Sequence, residues 1–395
     1  MRAAISPVRL ADAMHLLRLL LGALLLSYTL GTHAESCDEG VSAFKRADYE
    51  TALRIWRPLA EQGEACSQFW VGLLHFEGRG VAQDDAEAAR WLLRAAEQGE
   101  FRAQTNLAFM YLNGRGVLRD EVEARKWMRR AAEAGALMAQ DNLGRMCLQG
   151  IGGPRDYEEA AQWFYVAAAG GYALAQVHLA AMFEKGLGVR PDYAKAVEWL
   201  RKAAEQGHAG GQNDLGNAYM NGVGVPPDHA EALKWYRLAA AQGLTVAYLN
   251  LGRAYEFGLG VPPDLVQAAK WYRAAAEAGD LDGQLQFGIL CQTGKGMAVD
   301  LPQAVKWYRL AAEQGAKHGQ VNLAHMYKHG RGIAKDPVEA HFWYALAASR
   351  PGAEDVQGIA VKNRDELAAT LTASQLEENE RRVKAWKPAA QTRQK

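Results

Sequence analysis

Hydrophobic and polar positions recur along this chain at a fixed interval of 36 residues, which tryptophan marks most clearly. Trp56 lies 35 residues before a series at that spacing: Trp91, Trp127, Trp163, Trp199, Trp235, Trp271, Trp307 and Trp343. A period of roughly 20–50 residues is typical of a solenoid, in which small units stack. A catalytic residue is needed once, so a residue present in every unit disfavours an ordinary enzyme.

The first half of each unit predicts a helix that begins after an Asp. Asp84 is followed three residues later by Glu87, as in a capping box, and Ala88, Trp91 and Ala95 then form an apolar stripe. We expect the Trp in the shared core. Every unit has this Asp: Asp84, Asp120, Asp156, Asp192, Asp228, Asp264, Asp300 and Asp336.

The second half of each unit predicts another helix, with Leu107, Ala108 and Tyr111 on its apolar side. It ends in Gly-x-Gly, here Gly114 and Gly116, where glycine permits a turn with positive φ. One helix–turn–helix unit is too small to bury a core alone, so we expect the units to stack.

The combined pattern resembles the Sel1-like repeat, a relative of the tetratricopeptide repeat. The resemblance rests on Ala-x-x-Trp-Leu-x-x-Ala-Ala-Glu-Gln-Gly at 196–207 and Leu-Gly-x-x-Tyr-x-x-Gly-x-Gly-Val at 215–225. It covers about residues 37–348. It implies an all-α fold, a right-handed α/α solenoid of about eight repeats, whose concave face holds partner proteins or peptides.

The resemblance also implies where the groove lies. Tetratricopeptide repeats bind through one side of the helix that resembles the Leu107 helix, at positions two and five residues either side of the Leu. The candidate partner-binding residues are therefore Phe69, Phe76, Arg102, Thr105, Phe109, Leu112, Asp141, Arg145, Glu184, Asn213, Asn217, Arg253, Glu256, His325 and Lys328. The alternative is that these non-core positions vary freely and bind nothing.

Residues 1–34 do not fit the repeat and predict a cleaved secretory signal. Arg2, Arg9 and Arg18 precede the apolar run Leu19–Leu30, and small residues follow near Ala34. Met14 is an alternative start, and an uncleaved anchor is an alternative to cleavage, although the run is short for a membrane span. We expect a periplasmic or secreted protein with no membrane span after cleavage.

Four cysteines remain for an oxidising compartment. Residues 35–83 are predicted to form an N-terminal cap and first repeat, with Cys37 and Cys66 near the starts of neighbouring helices. They could form a disulfide, or could remain two unpaired thiols. Cys147 and Cys291 take the place of Tyr111 in their units, four units apart, so we expect two buried thiols.

The repeat segment is predicted to span 84–348, and residues 349–395 depart from it. Arg364–Trp386 is predicted to be one helix that covers the last unit, with a polar tail from Lys387.

Charge gives no case for nucleic acid or anionic lipid as a partner. The formal net charge is zero, and without residues 1–34 it is −2, from 42 Lys and Arg against 44 Asp and Glu. The Trp series could imitate a stacking platform for bases, but its period places the rings in the core.

Three short patterns could carry chemistry, and each has a structural explanation. Ser42 and Lys45 match Ser-x-x-Lys of penicillin-recognising enzymes, without the partner motifs. His318, His325 and His329 share a helix face, but no Glu completes a metalloprotease motif. The Gly-x-Gly turns lack the Lys-Ser/Thr of a phosphate loop. We therefore expect no catalytic residue, cofactor, metal or small-molecule substrate.

The sequence favours an exported, non-catalytic scaffold or adaptor that binds other proteins or peptides. One alternative is a hydrolase acting on β-lactam or cell-wall substrates, which requires Ser42. Another is a secreted factor that binds a host or competitor protein.

Overall fold

The computed structural model describes residues 37–349 and 354–389, and every regular element there is a helix. The chain divides into two compact units, Met1–Pro191 and Asp192–Lys395. The helices that carry the periodic Trp, called Trp helices here, are α2 (Tyr49–Glu61), α4 (Asp85–Glu97), α6 (Glu121–Glu133), α8 (Tyr157–Ala169), α10 (Tyr193–Glu205), α12 (His229–Ala241), α14 (Leu265–Glu277), α16 (Leu301–Glu313) and α18 (Pro337–Ala348).

The helices between them, called Leu helices here, each have 13 residues. They are α3 (Ala65–Glu77), α5 (Phe101–Asn113), α7 (Leu137–Gln149), α9 (Ala173–Lys185), α11 (Ala209–Asn221), α13 (Thr245–Phe257), α15 (Leu281–Thr293) and α17 (Lys317–His329). A helix α1 at residues 37–45 precedes them, and α19 (Glu354–Ala368) and α20 (Ala373–Ala385) follow. The chain is thus an all-α solenoid of two-helix repeats.

The periodic Asp begins each Trp helix, but the predicted capping box is only half formed. Asp84 has an extended backbone and accepts a bond from the backbone N–H of Glu87 at 2.9 Å. Its own N–H donates to the carbonyl of His75 at 3.0 Å, near the end of the preceding Leu helix. The Glu87 carboxylate is left to pair with Arg90. The same backbone bond recurs at Asp120, Asp156, Asp228, Asp264, Asp300 and Asp336, so the Asp ties these Trp helices to the Leu helix before them.

The Gly-x-Gly turns end the Leu helices as predicted. Gly114 and Gly116 have φ of +64° and +67°. The first ends the helix in the left-handed region. A Cβ on the second would overlap the carbonyl oxygen of Asp85, at the start of the previous Trp helix. The second glycine thus permits a close approach between adjacent repeats.

From α4 onward, the deepest core position is the residue after the Trp rather than the Trp itself. Leu92, Phe164 and Tyr272 are almost fully buried, whereas Trp163, Trp199, Trp235 and Trp271 are half-buried. The prediction that every Trp lies in the core is wrong for those four. One helical step rotates a side chain by about 100°, which moves the Trp to the edge of the interface. Basic side chains cover the edge; Lys202 Nζ lies 3.8 Å from the Trp199 ring centroid.

A disulfide between Cys37 and Cys66 joins α1 to α3, with an S–S distance of 2.01 Å. Trp56 lies beneath it, fully buried, and its indole N–H donates to the Cys37 carbonyl at 3.1 Å. The Trp56 ring stacks on Trp70 with centroids 5.0 Å apart. The disulfide and the stacked Trp rings together hold α1 against the first repeat. Cys147 and Cys291 are free and buried, as expected.

The C-terminal segment forms two helices, so the prediction of one helix over Arg364–Trp386 is wrong. Helix α19 ends at Ala368, and Thr372 then starts α20 through a capping box with Gln375. Both helices pack on α18. Asn379 of α20 is fully buried and donates to the Val338 carbonyl at 2.9 Å.

The predicted signal at residues 1–34 lies outside the described residues. Among the described helices, none combines the length and apolar character that crossing a membrane requires.

Candidate partner-binding face

The Leu helices expose one side, which we call the Leu-helix face: the second, sixth, ninth, twelfth and thirteenth residues of each. In α5 these residues are Arg102, Asn106, Phe109, Leu112 and Asn113, all half-buried or exposed. The fourth, seventh, eighth and eleventh residues point the other way, towards the Trp helices. The face therefore consists of side chains that the repeat does not need for its own core.

Four predicted binding residues are buried and need correction: Phe69, Thr105, Asp141 and Asn213 are at most 5% exposed. Each is the fifth residue of its Leu helix. Where this residue is polar, it bonds within the protein: Asp141 Oδ1 lies 2.7 Å from Nδ1 of His178 in the next Leu helix. The carbonyl oxygen of Asn213 accepts from the Asn250 amide at 3.0 Å. These four side chains are therefore used within the fold and are not available to a partner.

In the first compact unit the face carries a group of apolar side chains among polar ones. Phe76, Phe109 and Leu112 are half-buried, and Met138 is 49% exposed. Arg145 is exposed beside them, as is Glu184 on α9. Apolar side chains on consecutive helices give a surface that can bury a hydrophobic segment of another chain.

Arg102 borders this apolar surface but is already engaged. Its guanidinium pairs with Glu100 at 2.8 Å and lies 4.6 Å from the Phe69 ring centroid. The hydrogen bonds that Arg102 donates to Glu100 raise the pKa of Arg102, since they stabilise the charged guanidinium. The charge of Arg102 is therefore already paired with Glu100 within the protein.

In the second unit the face is mainly polar. Asn217 accepts from the Tyr236 hydroxyl at 2.8 Å, and Glu256 accepts from the Tyr272 hydroxyl at 2.7 Å. Burial raises the pKa of Tyr272, so its hydroxyl remains a donor. Arg253 is exposed and lies 3.8 Å from Asp282.

The end of this row is partly covered. Lys328 Nζ donates to Asn363 and pairs with Glu366 of α19, both at 2.9 Å, so the prediction of Lys328 as a partner-binding cation needs correction. His325 and His329 have ring centroids 4.4 Å apart. Burial lowers the pKa of His325, and the neighbouring His329 lowers it further.

The other candidate chemistry is not assembled in the described part of the chain. Within it, one group of three possible metal ligands comes together, Cys37, Glu64 and Cys66, and two of these form the disulfide. Ser42 is exposed on α1, and its hydroxyl donates to the Asp38 carbonyl at 2.9 Å. Lys45 is exposed on the same helix.

The sixth residue of the Leu helices belongs to the face and was not predicted. It is polar and half-buried in seven consecutive repeats: Asn106, Asn142, His178, Asp214, Asn250, Gln286 and Asn322. The signal was present in the sequence, since a polar residue recurs immediately before the Leu of the motif. The positions carried over from tetratricopeptide repeats did not include it.

These features define a helical-repeat protein whose Trp and Leu helices pack a common core and whose Leu-helix face is left accessible. The family model for the Sel1 repeat matches residues 67–100, 101–135, 137–172, 173–208, 209–244, 245–280, 282–315 and 317–351. The chain therefore belongs to the Sel1 repeat family. Proteins of this family are typically protein-interaction scaffolds.

Two solved structures illustrate the relationship. A Sel1 repeat protein from Oxalobacter formigenes is 35% identical over 81% of this chain and 92% of that chain, with a TM-score of 0.66. A protective antigen of uropathogenic Escherichia coli with an SLR fold is 33% identical over 90% and 84%, with a TM-score of 0.46. The curated proteins contain no match to the chain.

Proposed function

We propose that this protein is an exported, non-catalytic scaffold that binds partner polypeptides through its Leu-helix face. The observation that carries the proposal is the group of apolar side chains on the face of the first compact unit. Phe109 and Leu112 are half-buried and Met138 is 49% exposed, and none of the three is at a core position of the repeat. A solenoid holds such side chains on a rigid frame, so a partner pays little to order them.

Two features support export. The N-terminal sequence has the basic, apolar and small-residue order of a secretory signal. The Cys37–Cys66 disulfide is suited to an oxidising compartment, because cytosolic thiols are kept reduced.

Pull-down from the exported protein fraction tests the binding face. The double variant Phe109→Asp, Leu112→Asp places two charges on the apolar surface, and we expect it to lose the partners that the unmodified protein captures. The matched control is Leu118→Asp, Val122→Asp, because these residues are 91% and 64% exposed on the turn side of the repeat. Unchanged capture by the first variant, at equal helicity, would reject the proposed face.

Export is tested by mass spectrometry of the protein recovered from each cell fraction. We expect a chain beginning at Glu35 in the periplasm or medium. A chain that keeps Met1 or Met14 and stays in the cytosol would contradict the proposed localisation.

A further inference from the structure

A cluster of polar side chains interrupts the second unit where Leu helices α11 and α13 meet. The fifth position of the Leu helix is apolar in most of this unit, at Leu249, Leu285 and Val321, but in α11 it is Asn213, only 4% exposed. Asp214 follows it as the one acid among the sixth-position residues of the described Leu helices. Burying an amide costs free energy unless hydrogen bonds satisfy it.

The hydrogen bonds of the cluster can be followed from donor to acceptor. The Asn213 amide donates to one Asp214 oxygen at 3.1 Å. The Asn250 amide donates to the carbonyl oxygens of Asn213 at 3.0 Å and Asn217 at 3.3 Å. The Tyr236 hydroxyl also donates to Asn217. Among the described residues, no bond reaches the second Asp214 oxygen or the Asn250 carbonyl oxygen, so the cluster presents spare acceptors.

Among the described residues, the Asp214 carboxyl group has no ion-pair partner and accepts one side-chain hydrogen bond, from Asn213. Burial raises the pKa of Asp214, against the opposing effects of the Asn213 bond and of His208. His208 itself caps α11, where its Nδ1 accepts from the Gly211 backbone N–H at 3.0 Å. A half-buried carboxylate with spare lone pairs is complementary to a positively charged donor.

Gly210 leaves the turn before Asp214 without a side chain of its own. This residue lies one turn before Asp214, at the second position of the Leu helix, where other repeats have Arg102, Met138 or Val246. A Cβ at Gly210 would meet only the His208 ring, at 3.1 Å, so that imidazole borders the space. Because a helical side chain leans over the preceding turn, the Asp214 carboxylate lies beside this space, which we call the slot.

We propose that this slot binds a basic side chain, the ammonium of a lysine or the guanidinium of an arginine, from the polypeptide held on the Leu-helix face. Asp214 provides the charge, and the Asn250 carbonyl oxygen is a further acceptor for the several donors of such a group. The inference rests on the proposed function and deepens it: the partner carries a lysine or arginine.

Blocked amino acids test the site on the mature full chain. N-acetyl-arginine and N-acetyl-lysine methylamides are titrated while NMR follows the side-chain amides of Asn213, Asn217 and Asn250. N-acetyl-citrulline methylamide is the neutral control. We expect a basic probe to bind at least about tenfold more tightly than citrulline. Equal shifts with citrulline, or no saturable shift with either basic probe, would overturn the proposal.

Three variants localise the effect. Asp214→Asn keeps the size of the side chain, and we expect it to remove the preference for the basic probes. Gly210→Leu fills the slot, and we expect it also to remove the preference for the basic probes. Glu205→Gln removes a carboxylate in the same way at an exposed position of a Trp helix in the same unit and should leave the preference intact. Basic-probe selectivity that survives Asp214→Asn would place the site elsewhere.

Binding measurements with a partner captured in the pull-down distinguish this inference from the proposed function. We expect Asp214→Asn to weaken partner binding about tenfold or more, while Phe109→Asp, Leu112→Asp abolishes it. Loss with the Phe109 and Leu112 pair but full binding by Asp214→Asn would leave the proposed function intact and reject the basic-residue slot.

Discussion

Single residues in this protein are repeated because each performs one physical task in every unit. Gly116 has a positive φ and lies against the Asp85 carbonyl, whereas Gly99 has φ of +93° with no atom within 4 Å of an added Cβ. Both glycines recur at the same interval, and the sequence cannot distinguish them. The structure shows that one provides conformational freedom alone and the other also a close approach.

Substitution by alanine separates these two tasks. Gly99→Ala should cost about 1–2 kcal/mol, the penalty of a left-handed conformation. Gly116→Ala adds the overlap with the Asp85 carbonyl and should cost roughly 2 kcal/mol more. Urea unfolding followed by circular dichroism measures the difference. Equal losses for both variants would show that adjacent repeats are not in contact at Gly116.

Glu159 gives a prediction for acid stability. It pairs with Arg125 at 3.0 Å and Arg129 at 2.5 Å. Burial raises its pKa, but hydrogen bonds, from Arg129 first, outweigh burial and lower the pKa to about 2. Because the folded pKa lies below the unfolded value of about 4.3, its stabilisation is present above pH ~4.3 and is lost as the pH falls through about 2.

The variant Glu159→Gln should therefore be less stable by about 1.5–3 kcal/mol at pH 7, and the difference from the unmodified protein should shrink towards pH 2. The control is Glu123→Gln, at the equivalent position in the previous repeat, whose pair with Lys126 is exposed and should be worth less than about 1 kcal/mol. A difference that is independent of pH would contradict the role assigned to Glu159.

At the scale of helices, the repeating pattern predicted every Trp and Leu helix. An Asp marks the start of each Trp helix, a glycine marks the end of each Leu helix, and both kinds of helix have an apolar stripe. The non-repeating ends were less predictable. Arg364–Trp386 has apolar residues throughout, and the break after Ala368 depends on Thr372 capping a new helix. The face residues were only partly predictable. The positions carried over from tetratricopeptide repeats included the buried fifth residue of each Leu helix and omitted the sixth, because periodicity does not show how a helix is rotated about its axis.

The disulfide matters most for the first helices. In the chain-entropy model, cross-linking residues 29 apart stabilises the fold by about 3–4 kcal/mol. We expect reduction to destabilise the first repeat by about this amount and to expose Trp56, which denaturant unfolding with Trp fluorescence can follow. A Cys37→Ser, Cys66→Ser variant is the control and should not respond to reductant. Unchanged stability on reduction would mean that α1 is held by packing alone.

At the scale of the whole molecule, the core and the working surface are made by different sides of the same helices. Core positions repeat because every repeat packs in one way, while the Leu-helix face mixes apolar and polar side chains in the first compact unit and is mainly polar in the second. We propose that this face, and no chemistry within the helices, performs the function.

Site-specific photo-crosslinking in the producing cell tests this claim most directly. Benzoylphenylalanine replaces Phe109 on the Leu-helix face or, as the aromatic control, Tyr165, which is 55% exposed on a Trp helix. We predict a covalent adduct with another polypeptide from Phe109 and none from Tyr165, identified by mass spectrometry. Adducts from Tyr165 with none from Phe109 would contradict the account.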